Sequence, residues 1–315
     1  MENYAINNYL FDIDIPIRED LIQKVLKKRQ ENNNILNNKK RNKSNKKGLR
    51  IVVIGLLILF ISIFTSSLFK LLEWYQDSKK TTENIKEIED VVNVEEVVEG
   101  SLGEMIELVN VPEETKSDYW YYIKFPLIQV DFNELVKKNS DTVAWIQVNN
   151  TNINYPVVKG VDNDYYLNRS YDKKANDAGW VFMDYRNSGN LNDKNTIIYA
   201  HNRKDSTMFG SLKNVFKVDW YNNKDNHIIK MSTPTENSLW QIFSVYKIEA
   251  ESYYITTDFN TDESYLDFLN TLKKRSVYRF DSSLNTNDSI LTLSTCYSNN
   301  ERTVVHAKKI KKSAR

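Results

Sequence analysis

The chain has 315 residues, 41% of them hydrophobic, and its 43 Lys and Arg against 42 Asp and Glu leave a formal charge of +1. That length suits one large domain or two small ones, and only 8 Gly and 5 Pro exclude collagen-like or proline-rich chains. The single cysteine, Cys296, excludes an intrachain disulfide and any multi-cysteine zinc site, which leaves an inert buried thiol, an intermolecular bridge or a nucleophile.

Residues 1–50 are polar and rich in Asn and Lys, as in "NNNILNNKKRNKSNKK", and read as a largely disordered basic tail. Within it "YLFDIDIPIREDLIQKVLKKRQ" has the pattern of a short amphipathic helix for a membrane or a partner. Residues 51–69, "IVVIGLLILFISIFTSSLF", carry no charge. As a helix they span about 28 Å, close to the hydrocarbon thickness of a bilayer. Lys39, Lys40, Arg41, Lys43, Lys46, Lys47 and Arg50 precede this stretch, and Glu83, Glu87, Glu89, Asp90, Glu95, Glu96 and Glu99 follow it. The positive-inside rule then puts the N-terminus in the cytoplasm and the remainder outside. Beside a spanning helix the basic run is an orientation signal in contact with membrane lipid, not a nucleic-acid patch. About 50 residues precede the apolar stretch and no A-x-A site follows it, so an uncleaved single-pass anchor is expected at 51–72. Residues 73–117 read as an extracytoplasmic stalk, and 118–315 as the main outer domain.

That last part has the texture of an all-β domain with short helices. "DFNELVKKN" (131–139) is a short helix with Asp131 and Glu134 spaced for a capping box. Eight β-type runs follow, at 143–148, 152–158, 179–185, 195–201, 227–231, 239–250, 289–296 and 303–310, separated by Asn, Asp and Gly turns. Eight strands at this spacing make a closed barrel or a sandwich. Between the sixth and seventh, "DESYLDFLNTLKKRS" (262–276) aligns Tyr265, Phe268, Leu269 and Leu272 on one helical stripe. Docking that stripe on the barrel leaves the connection before it to shape a groove. The sequence has no P-loop, dinucleotide fingerprint, H-E-x-x-H or EF-hand loop, so no metal or other cofactor is expected.

In "SILTLSTC" Thr292, Ser294 and Cys296 share one face of the pleat, and Leu291 and Leu293 the other. A thiol on a hydroxyl face is a candidate nucleophile, which needs a proton donor for the leaving group and a stabilised oxyanion. Of three histidines, His201 ends a strand and opens into the polar loop "NRKDSTMFG", where site residues are displayed. His227 follows the polar "YNNKDN" and is expected to face solvent; His306, inside "VVHA", is expected to be structural. Arg302 starts the strand after Cys296, across a short loop, and brings a permanent planar cation near the thiol; its alternative is a surface pair with Glu301.

At these residues the chain resembles the sortases, and their class B branch in particular, over roughly 130–310. "TLSTC" with the following arginine and "VVHA" is one half of the resemblance. "IIYAHNRKDSTMFGSL", "WIQVNNTNINYPVVKGVDNDYYL" and "GWVFMDYRN" are the other. The resemblance implies an eight-stranded sortase-type β-barrel and a cysteine transpeptidase with His201, Cys296 and Arg302 as its catalytic residues. It implies cleavage of a C-terminal sorting motif of a secreted protein after Thr, a thioacyl-enzyme, and transfer to an amine of a cell-wall precursor or a pilin. Ser294, Thr295, Tyr254 and Thr256 are the candidates for lining the substrate groove. The chain departs from the family in a short loop between Cys296 and Arg302, in Tyr297 where some relatives have an acidic residue, and in a long cytoplasmic tail. An ordinary thiol and imidazole titrating independently at pH 7 give about 3% thiolate and about 24% imidazolium, so the doubly ionised pair is below roughly 1% unless the site shifts these groups. A surface cysteine protease and an inactive tethered scaffold are the rival readings.

Overall fold

Strands that bury one row of side chains and expose the other have unpaired edges, and closing the sheet on itself removes them. This is the solution in the computed structural model, which describes residues 18–97, 106–296 and 300–315, apart from the side chains of 44, 45 and 296. Residues 9–17 of the expected amphipathic helix, and Tyr297, lie outside the described residues. Contacts divide the chain into two units, 1–71 and 72–315.

Helix α1 (Glu19–Glu89) begins in the first unit, where each described side chain from 18 to 71 is exposed. It is the one described helix long and apolar enough to cross a membrane. Residues 18–30 of the expected amphipathic helix lead into α1 and are helical from Glu19, and residues 31–47, expected to lack fixed structure, continue it: they contain no Gly or Pro to break it, although their seven Asn are poor helix formers and give the stretch the composition of a solvated coil.

In the second unit the end of α1 packs on the sheet through the half-buried Ile85 and the buried Ile88. Beyond it come β1 (Val94–Val97), β2 (Ile106–Leu108), α2 (Tyr119–Tyr122), β3 (Leu127–Val130) and α3 (Asn133–Lys138). The barrel strands are β4 (Thr142–Val148), β5 (Asn154–Val158), β6 (Phe182–Met183), β7 (Asn195–His201), then α4 (Val218–Asn222), β8 (Ile228–Ser232), β9 (Glu236–Glu249), α5 (Asp262–Arg275), β10 (Ile290–Cys296) and β11 (Glu301–Ala314). The hydrogen-bonded order is β10-β7-β6-β5-β4-β8-β9-β11, and a β10–β11 pairing closes it into an eight-stranded barrel. Each of the eight runs read from the sequence overlaps one of these strands, although in 179–185 only Phe182 and Met183 form one and β11 extends past its run at both ends. β2 extends the edge of β11, and β1 pairs with β3 outside the barrel.

Two apolar layers follow from the pleat. Leu291 and Leu293 join the barrel interior with Trp145, Trp180 and Trp240. Each indole N–H has a partner, respectively Asn154 Oδ1 (2.8 Å), the Pro156 carbonyl (3.0 Å) and Ser238 Oγ (2.9 Å). Outside, the α5 stripe of Tyr265, Phe268, Leu269 and Leu272 is buried against Phe243, Ile290 and Val304. Thr261 and Ser264 form the capping box that starts α5. The box expected at 131–139 does not form: Asp131 Oδ1 accepts the Asn133 N–H (2.9 Å), one residue too early in the turn, and Glu134 pairs instead with Lys137 (2.7 Å).

The expectation for His227 is also corrected. It is buried, with Tyr122 Oη at 2.8 Å from Nδ1 and the Tyr221 carbonyl at 2.9 Å from Nε2. Trp220, Tyr221 and Phe280 surround the ring, so the polar loop before it covers a histidine that docks α2. His306 is structural as expected, between Tyr246 Oη (2.8 Å) and Thr292 Oγ1 (2.9 Å).

Burial lowers the His227 imidazole to about 4 and His306 to about 3. The folded chain therefore keeps both neutral, while the unfolded chain protonates them below about pH 6.5. Stability is expected to fall as pH drops from about 6.5 toward 4, with His227 contributing roughly 3 kcal/mol of the fall. Denaturant unfolding across this range should give a flatter profile for His227→Gln than for the native chain; parallel profiles would contradict the buried neutral imidazole.

Candidate functional site

Three adjacent strands bring the candidate catalytic residues to one end of the barrel. β10 runs parallel to β7, and the last pair of that ladder is Cys296 with His201. Neighbouring strands lie about 4.8 Å apart, so two positions far apart in the chain stand next to each other. On its other edge β10 runs antiparallel to β11, with Ser294 opposite Val304. Two residues further along each strand are Cys296 and Arg302. Arg302 is half-buried, and its Nη1 lies 3.4 Å from the Glu301 carbonyl. The Glu301 carboxylate pairs with Lys247 (3.1 Å).

His201 Nε2 is 2.6 Å from the carbonyl oxygen of Leu167. A carbonyl only accepts, so Nε2 carries the hydrogen and Nδ1 is the nitrogen that exchanges a proton in the neutral ring. Leu167 ends a 3-10 turn, Tyr165–Leu167, against which Gly179 packs. A Cβ at Gly179 would stand 2.7 Å from the Tyr166 and Leu167 carbonyl oxygens and 3.0 Å from His201 Cδ2, at a φ of +59°. Both the close approach and the left-handed backbone demand glycine there.

Next to these residues is a groove of about 260 Å³, lined by Asn163, Leu167, Phe182, Tyr199, Ala250, Glu251, Tyr254, Ile255, Ser294 and Arg302. Two of the four expected groove residues are in its wall: Tyr254 Oη is 3.1 Å from Ser294 Oγ. The other two are not brought to it. Thr295 is buried on the opposite face of β10 and accepts the Thr303 N–H (2.9 Å), as the pleat requires one residue past Ser294. Thr256 turns its hydroxyl to the Tyr253 carbonyl (2.8 Å), and its own carbonyl takes the Asn195 amide (2.9 Å). Sequence reasoning misses Asn163 and Tyr199. They sit in the quoted segments that resemble the family, but no local pattern separates them from loop and core residues.

A buried carboxylate ties this wall together. Asp184 accepts from Tyr199 Oη (2.9 Å), Asn163 Nδ2 (3.0 Å) and Arg186 Nε and Nη2 (2.8 and 2.7 Å). Arg186 Nη2 also reaches the Ile255 carbonyl (3.0 Å), so one network joins the loop after β5, β7 and the connection before α5. Burial alone would raise the Asp184 carboxyl, but the hydrogen bonds from Arg186, Tyr199 and Asn163 outweigh it and hold it below the usual range. Such a group stabilises the fold only while ionised. Asp184→Asn is expected to cost about 3 kcal/mol at neutral pH, with the difference from the native chain shrinking as pH falls below about 4. Denaturant unfolding of both forms checks this; a difference independent of pH would contradict it.

The Sortase domain family model matches residues 146–310, the barrel from β4 into β11. Sortase B of Staphylococcus aureus is 38% identical over 190 residues, covering 59% of this chain and 77% of that protein. Among solved structures, a Bacillus anthracis protein described as similar to sortase B superposes with a TM-score of 0.58 at 34% identity, over 76% of this chain and 97% of that one. A Staphylococcus aureus sortase B–substrate complex does so with a TM-score of 0.54 at 39% identity, over 57% and 84%. With the barrel and its domain matched, the chain belongs to the sortase family, in its class B branch, and is a sortase cysteine transpeptidase.

Proposed function

We propose that the chain is a membrane-anchored enzyme that cleaves the C-terminal sorting motif of a secreted protein after Thr and passes the protein to an amine of the cell-wall precursor. The observation that carries this is the Cys296–His201 pair at the end of the β7–β10 ladder, with Arg302 on the next strand and the groove beside it. The apolar run 51–69 with its basic N-terminal flank supports an anchor with the N-terminus in the cytoplasm and the barrel outside.

In this reading the Cys296 thiolate attacks the Thr carbonyl carbon. Arg302 holds the oxyanion with a fixed planar cation. Protonated His201 gives its Nδ1 proton to the leaving amine as the C–N bond breaks, and a thioester remains. The incoming amine attacks that thioester, His201 takes its proton, and the thiolate leaves. The Leu167 carbonyl, by fixing the hydrogen on Nε2, keeps Nδ1 for both transfers. The Staphylococcus aureus sortase B–substrate complex supports a sorting-motif substrate for this chain.

A peptide library offered to the full chain with triglycine as acceptor should yield a new amide on one motif, not only a shortened peptide. Release without amide formation would favour a protease. Cys296→Ala is expected to abolish transfer. Arg302→Lys is expected to lose roughly 100-fold in kcat, because a point charge does not reproduce the planar fork. Native-like transfer by Cys296→Ala would remove the nucleophile assignment.

A further inference from the structure

His201 stands between two loops, and one face of the helix turn at 77–81 touches both. On one side Asn176 donates from Nδ2 to Thr81 Oγ1 (3.1 Å), and the Asp177 N–H meets Asp77 Oδ2 (3.3 Å). Asn176 and Thr81 are both buried. That loop leads directly to the His201 support: the Asn176 N–H donates to the Asn168 carbonyl (3.0 Å), next to Leu167, and the Gly179 N–H to the Asn176 carbonyl (3.0 Å). On the other side Ser78 Oγ donates to Asp205 Oδ2 (2.6 Å). Asp205 organises the loop that leaves His201. It takes Arg203 Nη2 (2.8 Å), Thr207 N (3.1 Å) and Thr207 Oγ1 (2.6 Å), and the loop returns where the Phe209 N–H donates to the His201 carbonyl (3.0 Å).

The spacing is helical. Residues 77, 78, 81, 85 and 88 share a face, polar at its start and apolar where Ile85 and Ile88 enter the core. The isoleucines fix the helix on the barrel, and the polar turn meets the loops at a set height. Burial would raise the Asp205 carboxyl, but hydrogen bonds from Arg203, Ser78 and Thr207 hold it well below the usual carboxylate range, so the contact with Ser78 is charge-assisted.

We infer that the helix turn carrying Asp77, Ser78 and Thr81 is a positioning element for His201, bracketing the two loops that fix the ring and its tautomer. None of these three side chains lines the groove beside Arg302. They act through Asn176, Asp205 and the Leu167 carbonyl. The inference rests on the proposed role of His201, but the ring's tautomer is a property that can be read without any substrate.

The test is nitrogen NMR of the full chain in detergent micelles, labelled with 15N-histidine. Only three rings report, His201, His227 and His306. His201→Gln identifies the first by its loss, and the two buried rings serve as controls for folding. The native chain should show His201 as a single Nε2–H tautomer. Ser78→Ala combined with Thr81→Val should turn this into a mixture, leave the His227 and His306 patterns in place, and lower kcat roughly tenfold at unchanged KM, with the selected peptide and triglycine. Ser78→Thr with Thr81→Ser, which keeps both hydroxyls, should restore the native pattern. An unchanged His201 pattern in the Ala/Val variant, with the controls intact, overturns the inference. If that variant loses the control patterns, Ser78→Ala alone decides by the same readings. A shift in tautomer in a chain that transfers no peptide would uphold the positioning and reject only the proposed reaction.

Discussion

The parallel pairing of β7 with β10 is the constraint on which the site depends. A parallel pair needs a long crossover, and here the crossover is most of the barrel's second half: β8, β9 and α5 all lie between the two strands. The ladder from Ile290↔Asn195 to Cys296↔His201 on one edge of β10, with the β11 pairing on its other edge, therefore completes the barrel. The antiparallel return of β11 adds position 302 within the same three strands. A one-residue slip in either ladder would send one of the three to the other face. The buried rows that resist such a slip are Leu291 and Leu293 inside, and Ile290 and Val304 under α5.

Around this rigid pairing the loops do the fine placement. The Leu167 carbonyl chooses the nitrogen of His201 that carries hydrogen, and Gly179 allows the approach. Asp184, with no exposed surface, binds three segments of the groove wall through Tyr199, Asn163 and Arg186. Its carboxylate oxygens are directed at the wall and not at His201. The ring and the groove are thus held by two separate polar networks, and a change in one need not disturb the other.

Much of this is legible in the residues. β-prone runs bounded by Asn, Asp and Gly turns mark the eight barrel strands, and the i, i+3, i+4, i+7 stripe marks α5, because that helix buries one apolar row against the barrel. The pleat of "SILTLSTC" also separates Ser294 from the leucines, and it explains why Thr295, adjacent in sequence, is not in the groove. What is not legible depends on contacts between segments far apart. Residues 73–117 read as a stalk because their first docking turn, Asp77, Ser78 and Thr81, is polar, and only the pair Ile85 and Ile88 follows it in α1 at helical spacing. His227 reads as solvated because its neighbours in sequence are polar, whereas its neighbours in space are Tyr122, Trp220 and Phe280. Asn163 and Tyr199 acquire their place only when the loop after β5 and the strand β7 meet Asp184.

The convergence of positions 201 and 296 can be measured directly, because the native chain has a single cysteine. His201→Cys adds a second one at the paired position. Paired residues on adjacent strands lie within the Cα separation of about 4.4–6.8 Å that a disulfide spans. Mild oxidation of the full-length variant should join the introduced thiol to Cys296, seen by intact mass as the loss of two hydrogens and of both alkylation sites. Two thiols that stay fully alkylatable under the same oxidant, in a chain that remains folded, would contradict the β7–β10 register and with it the site.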